Sequence, residues 1–349
     1  MGMTFRVGVT RTLLRPDGTY DLAELGLDRL AGTDGIELGF LDELTEVVQA
    51  EQLRGLDAVV VENCGVAATS VEGLDRLAIV ARYGSGYDAV DLEACARNSV
   101  LVTNAPVAVR RPMATVNLAF LLALSLRMPT KDRLTRGGRW DESMALLGMG
   151  LIGRTFGLIG MGNIGRETLR LIAPLEMRCL VHDPYLGDEA IRAAGAVPAA
   201  LDTLLREADF VCIAVPLAAG TRGLIDESQL RLMKPTAFLI NASRGAIVDQ
   251  RALTRALTDG RIQGAGLDVF EEEPIASDDP LLALDNVILT SHSLGNTDEC
   301  FVLAGRSAGE SILDVAAGRV PRFVVNRAVL DDPRLQAKLA AYGSRAATG

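Results

Sequence analysis

Along the chain, short apolar runs alternate with polar stretches whose apolar residues recur at helical spacing. FRVGVT, LDAVVV and LAIVARYG are of strand length and show no strict in–out alternation, while LDELTEVVQAEQLRG between them carries the helical period. Apolar runs without alternation belong to strands covered on both faces, as in a parallel sheet. Their repetition with helices predicts a βα series, which ends near SVLVTNAP, residues 99–106. ATVNLAFLLALSLRM, residues 114–128, is apolar nearly all round and predicts a buried helix. TKDRLTRGGRWDES reads as a polar connector. From Thr155 a second series predicts strands at TFGLIG, RCLVHD, DFVCIAVP, TAFLINAS, GAGLDVF and NVILTSH, with RALTRALTDG helical and a last helix over 298–317. The terminal SRAATG is expected to fray.

Composition narrows the function classes. Apolar residues make up 49% of 349, enough for a substantial core in two ordinary domains. The formal charge of −10 disfavours nucleic acid and anionic membrane as partners. No run approaches the roughly 18–20 uncharged apolar residues of a membrane span. The start, MGMTFRVGVT, lacks a signal-peptide build, and Arg6 stands where a myristoylation motif after Met1–Gly2 needs Ser or Thr. The five cysteines form no CxxC pair and read as reduced thiols of a cytoplasmic protein. With two histidines in the chain and no ligand spacing, no metal site is expected.

One motif carries specific chemistry. In GLIGMGNIGRE, Gly160, Gly162 and Gly165 stand as G-x-G-x-x-G between a predicted strand and a predicted helix, the setting of a dinucleotide-binding turn. The first glycine permits the turn, the second admits a pyrophosphate, and the third lets the helix pack on the sheet. Asp183 follows Gly165 by 18 residues at the end of RCLVHD, where an acidic residue accepts the ribose hydroxyls and repels a 2′-phosphate. NAD is therefore expected rather than NADP.

Hydride transfer also needs an acid/base near neutrality and a cation for the substrate. Three later strands end in such groups: Arg244 in LINASRGAIVD, Asp268 with Glu271, Glu272 and Glu273 in GLDVFEEEP, and His292 in VILTSHSLG. Singly, each is more often a solvated or structural residue.

Together these stretches resemble the D-isomer-specific 2-hydroxyacid dehydrogenases. The resemblance runs from about Leu77 to Gly295, through ARYGSGYDAVDL, VLVTNAP, GLIGMGNIGRE, VHDP, AVPLAAGTRGLI, LINASRGAIVD, GLDVFEEEP and ILTSH, in the family's order. It implies two doubly wound parallel-sheet α/β domains. A Rossmann NAD domain, residues 107–298, is inserted in a flavodoxin-like substrate domain, residues 1–106 and 299–349, with a cleft between them that closes on substrate. It implies His292 as acid/base, Glu273 as its carboxylate partner, and Arg244 as the group that binds substrate carboxylate and carbonyl. Asp268 would hold the nicotinamide amide, Asn163, Ile164, Pro216 and Thr221 would complete the cofactor-binding set, and Ser85 and Gly86 of RYGSG would present backbone N–H groups to the carboxylate. The family is usually homodimeric. The chemistry agrees: histidine titrates near neutrality, a carboxylate fixes its tautomer, and arginine offers a planar fork for a carboxylate.

The chain departs from the family in two places. Arg110 and Arg111 occupy a loop where members carry smaller, less charged residues, so one of them would either reach an additional anionic group on the substrate or serve as a solvated or capping residue. Ser291 stands where the family usually has proline. The expected activity is an NAD-dependent exchange of hydride with a D-2-hydroxyacid or 2-ketoacid. The alternatives are a non-catalytic NAD(H)-binding corepressor and an oxidiser of a phosphonate or phosphite. Glu273, where a formate dehydrogenase has glutamine, argues against that third activity.

Overall fold

Residues 58–61, Ala-Val-Val-Val, leave no polar side for water. In the computed structural model, which describes residues 4–346, they form a strand with every side chain fully buried. Ala58 and Val60 pack into one apolar cluster and Val59 and Val61 into another, so the strand lies between two helical layers. Five strands share this environment: β1 (Phe5–Val9), β2 (Ile36–Phe40), β3 (Ala58–Val61), β4 (Ile79–Arg82) and β5 (Leu101–Thr103). They are parallel, in the order β2-β1-β3-β4-β5, which is the flavodoxin order.

The second sheet repeats the logic with seven parallel strands: β6 (Thr155–Ile159), β7 (Arg178–His182), β8 (Val197–Pro198), β9 (Phe210–Ile213), β10 (Phe238–Asn241), β11 (Gly264–Leu267) and β12 (Val287–Leu289). Their order, β12-β11-β10-β9-β6-β7-β8, places the reversal between β6 and β9, the Rossmann arrangement whose ligand crevice opens beyond the strand C-termini at that point. Alternate side chains again feed two cores: Phe210, Cys212, Phe238 and Ile240 on one face, Val211, Ile213 and Leu239 on the other. The chain divides into two compact units, one of residues up to Val109 with those from Asn296 onward, the other Arg110–Gly295. The Rossmann sheet is thus an insertion in the flavodoxin-like one, and the crossings lie three residues from the limits expected at 106/107 and 298/299.

Several elements differ from expectation. LDELTEVVQAEQLRG is helical only at Ala50–Leu53. Its backbone is instead drawn into extended pairing with Gly65, which donates to Glu46 and accepts from Val48. β2 was not expected: it is an edge strand, only half-buried, with Glu37 and Gly39 interrupting its apolar pattern. The predicted connector TKDRLTRGGRWDES holds two helices, Met128–Arg136 and Trp140–Ala145. Both are largely polar, and Asp132–Arg136 and Arg139–Glu142 pairs line their surfaces. The apolar helix runs Arg110–Ser125, starting four residues before the expected 114, with Pro112 in its first turn where no amide is missed. Half of its residues are buried, and Arg110, Thr115 and Ala119 are exposed.

Met1–Gly2 lies outside the described residues, as does the end of SRAATG; the last helix, Pro333–Ala346, reaches into that stretch. All five cysteines are free, and Cys64, Cys95 and Cys212 are buried. Among the described residues no group of acidic, His and Cys side chains has the makings of a metal site, and no single helix is long and apolar enough to cross a membrane.

Candidate active site

The glycine turn is built as its sequence requires. Gly160 has φ of +92°, a conformation that side chains disfavour. A Cβ on Gly165 would stand 2.3 Å from the Gly160 carbonyl oxygen, so only glycine lets the helix Asn163–Ile172 sit this close to β6. A Cβ on Gly162 would meet nothing within 4 Å: the space beside it is open, as a pyrophosphate at a helix N-terminus needs. Asn163 is exposed and Ile164 half-buried as they open that helix. Asp183, just past β7, takes the Met161 N–H on Oδ2 at 2.9 Å and the Tyr185 N–H on Oδ1 at 3.0 Å, tying the turn to the neighbouring strand end. Beyond β9, the Thr221 hydroxyl donates to the Pro216 carbonyl at 2.7 Å and accepts from Ala218 N–H at 2.8 Å. All these residues stand at the carboxyl edge of one parallel sheet.

At the same edge, beyond β10, β11 and β12, lie Arg244, Glu273 and His292. His292 Nδ1 is 2.8 Å from Glu273 Oε2, and Glu273 Oε1 accepts the Phe270 N–H at 2.9 Å. Burial pushes the Glu273 carboxyl up, but the hydrogen bonds from His292 and Phe270 and the charges of His292 and Arg244 outweigh it, and the carboxyl titrates below its ordinary range. Arg244 is half-buried, and its Nη1 donates to the Ser243 carbonyl at 2.7 Å. The loop that carries it meets the β11 loop closely: a Cβ on Gly245 would lie 1.8 Å from the Phe270 carbonyl carbon. Asp268 is buried, and its Oδ1 accepts from the Thr290 hydroxyl at 2.7 Å, Ser293 N–H at 3.0 Å and Leu294 N–H at 3.2 Å. His292 itself has φ of +55°, a conformation costing a non-glycine residue of order 1–3 kcal/mol. The Asp268 clamp on both flanks of His292 holds it there.

Ser85 and Gly86 follow β4 in the other unit. Arg111 has a structural partner: its Nη1 is 2.9 Å from Glu167 Oε1 on the helix after the glycine turn. Arg110, its neighbour, is exposed. The residues that brace the site escaped the sequence reading. Asn241 donates to the Arg244 carbonyl at 3.0 Å and accepts from Ser243 N–H at 3.0 Å; Thr290 holds Asp268. Their one signal was position, a polar residue closing an apolar strand.

The model of the D-isomer specific 2-hydroxyacid dehydrogenase NAD binding domain matches residues 118–293. A glyoxylate reductase of Korarchaeum cryptofilum is 37% identical over 318 residues, 89% of this chain and 96% of that protein. The chain belongs to the D-isomer specific 2-hydroxyacid dehydrogenases. A D-3-phosphoglycerate dehydrogenase of Methanocaldococcus jannaschii is 35% identical over 81% of this chain and 54% of its own length. The solved D-lactate dehydrogenase of Escherichia coli superposes with a TM-score of 0.77 at 25% identity, covering 92% of this chain and all of that one. The protein is thus an NAD-dependent oxidoreductase that exchanges a hydride with a D-2-hydroxyacid or its 2-ketoacid, and the corepressor alternative is not favoured. The open space at Gly162 and the acceptor at Asp183 fit NAD.

Proposed function

We propose that the enzyme reduces a small 2-ketoacid of the glyoxylate kind, with His292 as proton donor, Glu273 as its partner and Arg244 as substrate clamp. The observation that carries this reading is the 2.8 Å contact of His292 Nδ1 with Glu273. With Nδ1 committed to the carboxylate, Nε2 is the ring nitrogen that serves the substrate oxygen. When bound, NADH supplies the hydride. Arg244 pairs its guanidinium with the substrate carboxylate and polarises the adjacent carbonyl as negative charge develops on its oxygen. His292 delivers its Nε2 proton to that oxygen and is left neutral, with Glu273 still holding Nδ1. Ser85 and Gly86 offer backbone N–H groups to the carboxylate. Gly160, Gly162, Asn163, Ile164, Gly165, Asp183, Pro216 and Thr221 would hold the dinucleotide, and Asp268 would hold its nicotinamide amide. The 37% identity to a glyoxylate reductase over 96% of its length, and the pairing of Arg111 with Glu167, support a substrate without a large anionic extension.

The limits 107–298 and 1–106 with 299–349 are our domain assignment to cofactor and substrate respectively. The enzyme works in the cytoplasm as a homodimer, with no nucleic acid or membrane as partner. Exposed Leu126, Met128, Trp140, Met144, Leu147 and Ile152, gathered in one stretch of the cofactor unit, support the dimer.

The test is a panel of 2-ketoacids at saturating NADH, glyoxylate included. Glyoxylate or a close analogue is expected to turn over. His292→Ala is expected to lower kcat by about 10²–10⁴-fold with the NADH Kd within twofold of wild type. Turnover untouched by that substitution would falsify the assignment.

A further inference from the structure

The loop after β4 shows an arrangement that its own sequence does not announce. Three successive carbonyls are each tied back by a donor of the same unit. Gly84 C=O accepts from Ala105 N–H at 2.7 Å, Ser85 C=O from the Asn104 side-chain amide at 2.8 Å, and Gly86 C=O from Arg82 Nε at 2.9 Å. Arg82 is itself fixed, its Nη1 donating to the Val61 carbonyl at the end of β3 at 2.9 Å. In a trans peptide the C=O of one residue and the N–H of the next point in opposite directions. Pinning the Gly84 carbonyl therefore aims Ser85 N–H the other way. Pinning Ser85 C=O does the same for Gly86 N–H, and pinning Gly86 C=O for Tyr87 N–H. Among the described residues neither the Ser85 nor the Gly86 N–H has an acceptor. Gly84, at φ of +152°, supplies the bend that starts the series. Runs of N–H groups presented by successive residues form anion-binding nests.

We propose that Asn104 and Arg82 are positioning residues for substrate: by holding the Ser85 and Gly86 carbonyls back, they orient the amides of this loop as a donor set for the carboxylate of the 2-ketoacid. The inference rests on the reading that this loop takes the substrate carboxylate. Neither side chain touches substrate in this account. Asn104 acts through one peptide unit, and its replacement frees that unit to rotate. Aspartate there puts an acceptor against the Ser85 carbonyl and drives the rotation; alanine merely permits it. Arg82 anchors the next peptide and ties the loop to β3, so its loss acts in the same direction.

The experiment compares wild type with Asn104→Ala, Asn104→Asp and Arg82→Met in the full chain. The readouts are the KM for the 2-ketoacid that wild type reduces best, the Ki of oxamate as a non-reacting carboxylate, and the NADH Kd by fluorescence titration. These three constants do not depend on the fraction of molecules that fold, so poorly expressed variants still give an answer. The expected result is a rise in both KM and Ki of tenfold or more, in step, with Asn104→Asp the worst, while the NADH Kd stays within twofold and kcat falls less than threefold. KM and Ki within twofold of wild type in the Asn104 variants would overturn the proposal. So would a fall confined to kcat, or an NADH Kd that rises together with KM, since either would place the effect outside the loop. Failure of the functional reading looks different: wild type would then reduce no 2-ketoacid, or would do so equally well as His292→Ala.

Discussion

Glu167 is the residue whose chemistry is least visible in its motif. The glycine pattern ends at Gly165, and a glutamate two places on reads as one more solvated charge. The structure buries it between the helix Asn163–Ile172 and two guanidiniums, Arg170 Nη2 at 2.8 Å and Arg111 Nη1 at 2.9 Å. The hydrogen bonds from Arg170 and then Arg111 pull its carboxyl from an ordinary value of 4.5 down to about 2. A carboxyl whose folded pKa lies below its unfolded one adds stability above the unfolded value, and that stability is lost as pH falls through the folded one. The stability difference between wild type and Glu167→Gln, followed by urea midpoints across pH, should therefore be full at neutral pH, shrink below about 4.5 and vanish near 2. A difference that grows on acidification would show the ion pairs to be unfavourable. This pairing was not legible because Arg111 and Glu167 are 56 residues apart, and spacing along a chain reports only local neighbours. His292, Glu273 and Arg244 were legible one at a time, as strand-end groups of the right chemistry. The Glu273 contact and the Asp268 clamp depend on how three loops meet, which only folding decides.

Elements were legible where burial alone set the pattern. β3, β6, β9 and β10 are apolar on both faces and stood out as runs. The edge strand β2 did not, because water reaches one side of it and the apolar signal halves. The helices Met128–Arg136 and Trp140–Ala145 were misread for the opposite reason: they bury little, Leu134 alone among the residues of the first, so no apolar stripe marks them. The glycine turn joins both scales, since its motif was plain and its packing explains it. Gly165→Ala would put a methyl group 2.3 Å from the Gly160 carbonyl oxygen, which is backbone and cannot swing aside. Overpacking of this kind costs about 1–3 kcal/mol, and here the displacement falls on the helix N-terminus that faces the dinucleotide. The expected outcome is a lower Tm together with at least a tenfold weaker NADH Kd. A stable Gly165→Ala protein with wild-type NADH affinity would mean that the helix approach is not what shapes the turn.

For the whole molecule, the apolar runs announced two βα series, the insertion of one unit in the other came from the family resemblance, and the exposed apolar side chains near the end of the long apolar helix were not singled out. A monomer of charge −10 has every reason to keep its apolar side chains covered, yet between residues 126 and 152 Trp140 is 64%, Leu147 82% and Ile152 79% exposed. In the sequence Trp140 lies in the stretch that reads as a polar connector, and Leu147 and Ile152 follow it in MALLGMGLIG, a short uncharged run with no helical or strand period. A large apolar group surrounded by Arg, Asp and Glu is the usual make-up of an interface anchor with a polar rim. A second copy is the occupant available to every molecule in solution, and a two-fold pairing presents the same patch from both sides. Trp140→Glu with Leu147→Glu places two charges per protomer in that patch. Since anchors of this type each contribute about 2 kcal/mol or more, the dimer Kd should rise by at least a hundredfold. Sedimentation velocity across a dilution series measures it: wild type should run as a dimer at micromolar concentration and the double variant as a monomer, with the NADH Kd of the two within twofold. Wild type sedimenting as a monomer, or a variant that remains dimeric, would remove this surface from consideration as the dimer interface.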